Sequence, residues 1–196
     1  MRSKGLRPTV VAILVVSSVL AGGAAVATTP VRLTQAELRK ALLSLPAVAA
    51  ASGTGHAAQS LGVVCSWSNE ISANVCIHDT LHSDEARSAG APWATHLNVF
   101  SFETRALALQ YVASMAERFQ GTQTVSASRT RVVGFDPRSQ ISDGTRMEAA
   151  PEVSVVRAVG TNALWASCAD PSRAAGQTEL MACATSVARA QARRLA

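Results

Sequence analysis

The chain has 196 residues, and its 18 basic against 13 acidic side chains give a formal net charge of +5 at pH 7. Three of the basic residues, Arg2, Lys4 and Arg7, precede an apolar run, so residues 28–196 carry 15 basic and 13 acidic side chains. A nucleic-acid interface needs a clustered basic face, which this nearly neutral balance does not supply, so we expect no nucleic-acid partner.

The N-terminal segment has the pattern of a secretory signal peptide. Val10 to Leu20 are mostly apolar, and small residues follow up to Ala25-Val26-Ala27. We therefore predict a signal peptide over residues 1–27 and one secreted domain over 28–196. The alternative is an uncleaved segment 9–27 that anchors the chain, the only membrane contact we expect. Gly23 stands where a lipoprotein needs its acceptor cysteine, which argues against a lipid anchor.

The first elements after the signal are a helix and two short strands. Thr34 and Glu37 form a capping box, and Leu38 and Leu42 continue at helical spacing until Pro46, where we expect the helix to end. The stretches 61–67 and 74–77 are rich in β-branched and aromatic residues, which predicts strands. The polar stretch from His78 to Pro92 predicts a surface loop.

The rest of the chain alternates between strands and helices. We predict strands over 95–102 and 124–135, a turn over 136–139, a hairpin of 152–159 with 162–168, and helices over 105–119 and 178–195. Consecutive strands between helices favour an α+β fold, in which an antiparallel sheet carries its helices packed on one face.

Four cysteines lie in the exported part: Cys65, Cys76, Cys168 and Cys183. An even number in an oxidising compartment predicts two disulfides. Three pairings are possible, and we prefer the two local ones, Cys65 with Cys76 and Cys168 with Cys183. A four-cysteine zinc site is the alternative, but neither pair has the close spacing such sites use.

Two histidines at i, i+4 spacing, His78 and His82, are candidate metal ligands because Asp79, Asp84 and Glu85 are near them in the sequence. The competing interpretation is a solvated polar loop, which we prefer. The H-E-x-x-H pattern of metalloproteases is missing, and we predict no metal and no cofactor.

Nucleophilic catalysis has no motif in this chain, because no serine lies in a G-x-S-x-G elbow. An enzyme assembled from distant residues remains as an alternative, with His78, His82 and His96 as its core. We expect no enzyme and assign no catalytic residue.

Tryptophan offers one further candidate. Trp67 and Trp165 lie close to cysteines in the sequence, which is typical of core packing against a disulfide. Trp93 follows Pro92 in the expected loop and is a candidate for ligand or partner contact.

Phe102-Glu103-Thr104-Arg105-Ala106 leading into Tyr111-Val112, with the hairpin turning at Gly160 and the two local disulfides, resembles secreted and lipid-anchored envelope domains of actinobacteria. Similar domains form the extracellular sensor regions of mycobacterial serine/threonine kinases. The 16 arginines against 2 lysines agree with a GC-rich bacterial source. The resemblance implies a small α+β domain that binds something outside the cell and is not an enzyme. Neither a kinase domain nor a lipid-acceptor cysteine is present, so signalling and lipidation do not carry over.

These observations lead to a hypothesis and two alternatives. The leading hypothesis is an exported, sensor-like or binding domain of the cell envelope, whose partner is an unknown small molecule, an envelope component or a protein. The contact would be made through a groove between the sheet and its helices, or through the segment from His78 to Trp93. The alternatives are a secreted hydrolase or metal-dependent enzyme, and a structural or protein-partner role in the envelope.

Overall fold

A single sheet of seven antiparallel strands forms the centre of the molecule. The computed structural model describes residues 32–53, 57–83, 93–118, 123–142, 147–173 and 175–196. The predicted signal peptide, the predicted domain boundary at residue 28, and Asp84 and Glu85 lie outside these ranges.

The sheet consists of two meanders joined edge to edge. The first contains β1 (Ala57–Ser68), β2 (Ala73–Ser83) and β3 (Trp93–Ser101), and the second contains β4 (Gln123–Ser128), β5 (Arg131–Ser142), β6 (Met147–Val159) and β7 (Asn162–Ala169). The strand order is β1-β2-β3-β7-β6-β5-β4, so the antiparallel pairing of β3 with β7 is the seam between the two meanders. The α+β class and the antiparallel sheet are confirmed.

Four helices pack on this sheet: α1 (Gln35–Ala41), α2 (Leu45–Ser52), α3 (Arg105–Arg118) and α4 (Gln177–Leu195). One hydrophobic cluster joins α1, α2 and α4 to one face, where it contains Val99 and Val155. α3 packs on the opposite face, against Phe100 and Val156. Successive strand residues point to opposite faces, so the helices cover both faces rather than the one face expected from the sequence.

The predicted α3, α4 and the β6–β7 hairpin are confirmed, and the hairpin turns at Gly160, whose φ is +60°. Three other predictions were wrong. Pro46 lies in the first turn of α2 instead of ending a helix, a position where the missing N–H of proline is not needed. The expected strand 124–135 is a hairpin of β4 and β5, and the expected turn at 136–139 is an irregularity in the β5–β6 pairing.

Both predicted disulfides are present in the preferred pairing. Cys65 and Cys76 are direct cross-strand partners in β1 and β2. Cys168 at the end of β7 is bonded to Cys183 in α4, which fixes this helix to the sheet.

The N-terminal and C-terminal helices are joined by one buried side chain. Gln191 of α4 donates from Nε2 to the carbonyl of Ala41 at 2.8 Å, and its Oε1 accepts from the amide of Leu43 at 2.9 Å. Gln191 therefore satisfies backbone groups where α1 ends, which fixes α1 and α2 beside α4. Among the helices of the described ranges, none is long and apolar enough to cross a membrane.

Candidate binding groove

An open groove lies on the face of the sheet that carries α3. α3 packs on β5, β6 and β7, and between it and β1–β2 the sheet surface forms the groove floor. The groove has a volume of about 560 Å³. A smaller recess of about 290 Å³ adjoins it at the β1–β2 turn and shares Glu70, Ile71, Tyr111 and Ser114 with it.

The groove is lined mainly by apolar and aromatic side chains. Its lining includes Val75, Ile77, Phe100, Met115 and Trp165. The ring of Phe100 lies 4.5 Å from the ring of Tyr111, centroid to centroid, so the wall is held by aromatic packing. An open, mostly apolar concavity of this size is typical of a small-molecule site.

A row of polar residues lies on the same face of the sheet, beyond Asn98 and Trp165. Asp79 in β2 pairs with His96 in β3, His96 pairs with Ser167 in β7, and Ser167 pairs with Ser154 in β6. Cross-strand partners point to the same side of a sheet, so these four side chains lie side by side on the groove face. We call Asp79, His96, Ser167 and Ser154 the polar row.

The first pair of the row is an ion pair when His96 is protonated. Nδ1 of His96 lies 3.0 Å from Oδ1 of Asp79, and both side chains are partly exposed. Burial alone would lower the pKa of His96, but the hydrogen bond and charge of Asp79, helped by the charge of Glu152, outweigh burial and raise that pKa above its ordinary value.

The far end of the row is connected to the groove wall by hydrogen bonds. Nε1 of Trp165 donates to Oγ of Ser154 at 2.9 Å, and Ser154 donates to Glu152 at 3.2 Å. Ser139 also donates to Glu152. The indole is therefore held in a defined orientation beside the polar row.

Two polar atoms of this region are buried without a partner. Neither Oγ of Ser167, a residue only 1% exposed, nor Oδ1 of Asn98 has a hydrogen-bond partner in the part of the chain that the structure describes. Such groups are rare in folded proteins, because an unpaired buried polar group costs free energy. Of these two residues, Asn98 lines the groove and Ser167 does not.

The histidines proposed as metal ligands lie elsewhere. The expectation of a surface loop from His78 was wrong, because β2 extends to Ser83 and buries both His78 and His82 on the face opposite the groove. His78 contacts the Leu43 carbonyl through Nδ1 and Ser60 through Nε2, and His82 contacts Thr95. These hydrogen bonds explain the burial of polar residues that composition assigned to a loop.

The same geometry separates the proposed catalytic histidines. Four residues of strand place His78 and His82 about 13 Å apart, too far to share one ion. His96 lies on the groove face, away from both. No group of three or more His, Cys, Asp or Glu side chains suited to a metal occurs within the described ranges.

Trp93 is the first residue of β3 and the Cα partner of His82, rather than part of a loop. Its contact with a ligand or partner stays a prediction. A further cavity of about 380 Å³ between α2 and α4 is lined by Ser52, Glu179 and Ser186, among others, and contains none of the predicted site residues.

The sequence did not single out Asn98, Ser167 or Ser154. The available signal was the alternation in the strand Thr95 to Phe102, which placed Asn98 and Phe100 on one face. The strand order, which brings β7 beside β3, is not readable from that alternation.

No family model matches this chain, and no curated protein does. Among solved structures, the chain is similar to the extracellular domain of PknH from Mycobacterium tuberculosis. The two share 10% sequence identity with a TM-score of 0.54, and the match covers 83% of this chain and 98% of that domain. The likeness supports the fold that the sequence resemblance implied.

Proposed function

We propose that this protein is an extracytoplasmic, non-enzymatic module that binds the apolar part of a small molecule in the groove between α3 and the β1–β2–β3 meander. The observation that carries the proposal is the groove itself, about 560 Å³ in volume and lined by Ile77, Phe100, Met115 and Trp165. Apolar lining supplies the binding free energy, because each buried methylene group contributes roughly 0.8 kcal/mol.

Location outside the cytoplasm is supported by two features. All four cysteines are paired in the two disulfides, as is typical of proteins in oxidising compartments. The fold is that of a domain described as extracellular. The predicted export signal at residues 1–27 agrees with this location.

A non-enzymatic role is supported by the surroundings of Ser167. Asp79, His96 and Ser167 have the residue types of a hydrolase triad in cross-strand order. Ser167, however, is buried, and β7 is paired with β3 on one side and β6 on the other, so its amides belong to the sheet ladders. Backbone amides free to stabilise an oxyanion are therefore missing beside Ser167 in the described structure. We expect no labelling of Ser167 by a fluorophosphonate.

The proposal is tested by measuring how the binding affinity depends on the length of the ligand's alkyl chain. The full oxidised protein is titrated by calorimetry with hexyl, octyl and decyl β-D-glucosides below their micelle-forming concentrations. Each extension by two methylene groups should tighten binding about tenfold until the groove is filled. Ile77→Lys, which places a charge on the groove floor, should abolish binding.

Val64→Lys is the matched control, because Val64 is the cross-strand partner of Ile77 but is 65% exposed and does not line the groove. This variant should bind like the unmodified protein. Affinity that is independent of chain length, or equal in the two lysine variants when both melt cooperatively, would overturn the proposal.

A further inference from the structure

The strand β1 forms one edge of the sheet, and β2 is the only strand paired with it among the described residues. β1 is 12 residues long and contains no charged residue and no proline. Proteins usually protect an exposed sheet edge with charged residues, proline or bulges, because an open edge pairs with further strands. The pairing of β1 has one irregularity, between Ser60 and Gly62, and is regular from Gly62 to Ser68. This regular part therefore has the features of a pairing surface.

The backbone groups that point outward from this edge belong to Val63, Cys65 and Trp67. Cys65 and Cys76 are cross-strand partners whose Cα atoms are 4.1 Å apart. So short a separation is typical of antiparallel partners that exchange no hydrogen bonds, and their N–H and C=O groups point away from each other. The orientation repeats every second residue, so Val63 and Trp67 also direct their N–H and C=O groups away from β2. A further antiparallel strand could form hydrogen bonds with these groups.

Exposed apolar side chains recur along the same edge at equal spacing. Leu61 is 45% exposed, Val64 is 65% exposed and Trp67 is 40% exposed, each three residues from the next. They are three of the four exposed large hydrophobic side chains in the described ranges. The indole of Trp67 is held in place, because its Nε1 donates to Oδ1 of Asn69 at 2.7 Å and the guanidinium of Arg32 lies 4.6 Å from its ring centroid.

This spacing favours a second copy of the same chain as the partner. When two β1 strands run antiparallel about a two-fold axis at Val64, Val64 faces Val64 of the second copy. Leu61 then faces Trp67 of the second copy, so every exposed apolar side chain of the edge has an apolar neighbour. Val63 faces Cys65 of the second copy, which brings the outward backbone groups of both strands together. Because β1 carries no charge, the two strands do not repel each other.

We propose that two copies of this protein associate through β1, which pairs antiparallel with β1 of the second copy about a two-fold axis at Val64. The same surface serves both copies, as in most symmetric dimers, and the two seven-stranded sheets become one continuous sheet. One strand from each copy makes a small interface, so we expect a weak dimer. This inference does not depend on what binds in the groove, which lies within one copy.

Sedimentation equilibrium of the full oxidised protein, from about 1 μM to about 1 mM, tests the association. The mass should rise from one chain to two and no further. Val64→Lys places two lysines face to face at the axis and should raise the dissociation constant at least about tenfold. Val125→Lys is the matched control, because Val125 is 39% exposed on β4, the opposite edge of the sheet. This control should associate like the unmodified protein, and any association through residues 10–27 would be the same in both variants.

A charge pair tests the position of the axis. Val64→Glu should also remain a single chain, because two glutamates then face each other. An equimolar mixture of Val64→Lys and Val64→Glu should form dimers again, since opposite charges meet at the axis. A mass of one chain up to about 1 mM, equal association of Val64→Lys and Val125→Lys, or a mixture that does not dimerise would each overturn the proposal. None of these results would bear on the groove, whose test is the binding of alkyl glucosides.

Discussion

Asp79 and His96 are cross-strand partners whose side chains meet at 3.0 Å on the groove face, and this contact favours the protonated form of His96. His78 and His82 make their contacts on the other face, with the Leu43 carbonyl and with hydroxyl groups. Asp79 contacts His96 directly, Ser167 is its cross-strand partner in β7, and the charge of Glu152 also acts on it.

The pair predicts a specific pH dependence of stability. The folded pKa of His96 is raised above its ordinary value of about 6.5, so protonated His96 favours the folded state. This contribution to the free energy of unfolding is fully present below the pKa that His96 has in the unfolded chain. It is lost as the pH rises through the pKa of His96 in the folded protein. Asp79→Asn should lower the pKa of His96, measured by NMR titration of the ring protons. Glu103→Gln, in an exposed ion pair with Arg32, should leave it unchanged. An unchanged pKa in Asp79→Asn would contradict the assignment.

Gln191 should be the most costly single polar residue to replace in α4. Gln191→Leu keeps the volume but leaves the Ala41 carbonyl and the Leu43 amide without their partner. We expect a loss of about 2–3 kcal/mol in the free energy of unfolding, because buried backbone groups become unsatisfied. Urea denaturation measures this loss. Arg189→Ala, exposed on the same helix, should change the free energy by no more than about 0.5 kcal/mol. Similar losses in the two variants would argue against the bridge.

The two disulfides should differ in their effect on stability although their loops are similar. They close 11 and 15 residues, which predicts about 3 kcal/mol each from the restricted unfolded chain. Cys168 and Cys183 are both buried, whereas Cys65 is partly exposed. Cys168→Ala with Cys183→Ala should therefore lower the unfolding free energy further than Cys65→Ala with Cys76→Ala. Denaturation curves of the two double variants test the order, and the reverse order would show that burial does not decide it.

The turn between β6 and β7 requires a residue that accepts positive φ. Gly160 has φ of +60°, a region that costs a residue with a Cβ atom about 1–2 kcal/mol. Gly160→Ala should therefore lower the free energy of unfolding by about 1 kcal/mol. Gly160→Asn should cost less, because asparagine tolerates this conformation. Equal losses in thermal unfolding of the two variants would mean that φ is not the cause.

Most elements of this fold could be predicted from local patterns, and the failures have physical reasons. The capping box at Thr34 and the turn at Gly160 are local signals, and both are present in the structure. Pro46 was ambiguous because proline suits the first turn of a helix as well as the residue after one. His78 and His82 were assigned to a loop because their burial depends on partners such as Leu43 and Thr95, which are distant in the sequence.

The groove was expected only in general form. The two sides of the groove are brought together by the pairing of β3 with β7. This pairing places Asn98 beside Trp165, although 67 positions separate them in the sequence. The residue pattern of neither strand predicts that β3 and β7 are neighbours. The expectation that all helices lie on one face failed for the same reason. The side of the sheet on which α3 packs depends on the strand order, which the sequence pattern does not contain.

The seam between the two meanders is bridged on both faces of the sheet. On the face of α1, α2 and α4, Gln191 joins helices that lie over different halves of the sheet. On the other face, the groove floor crosses the seam from Ile77 and Asn98 to Trp165. A molecule bound there would contact both halves at once, in addition to the packing of Phe100 in β3 on Tyr111 in α3. Ligand binding would then slow amide hydrogen exchange along β3 and β7, even at residues whose backbone the ligand does not contact.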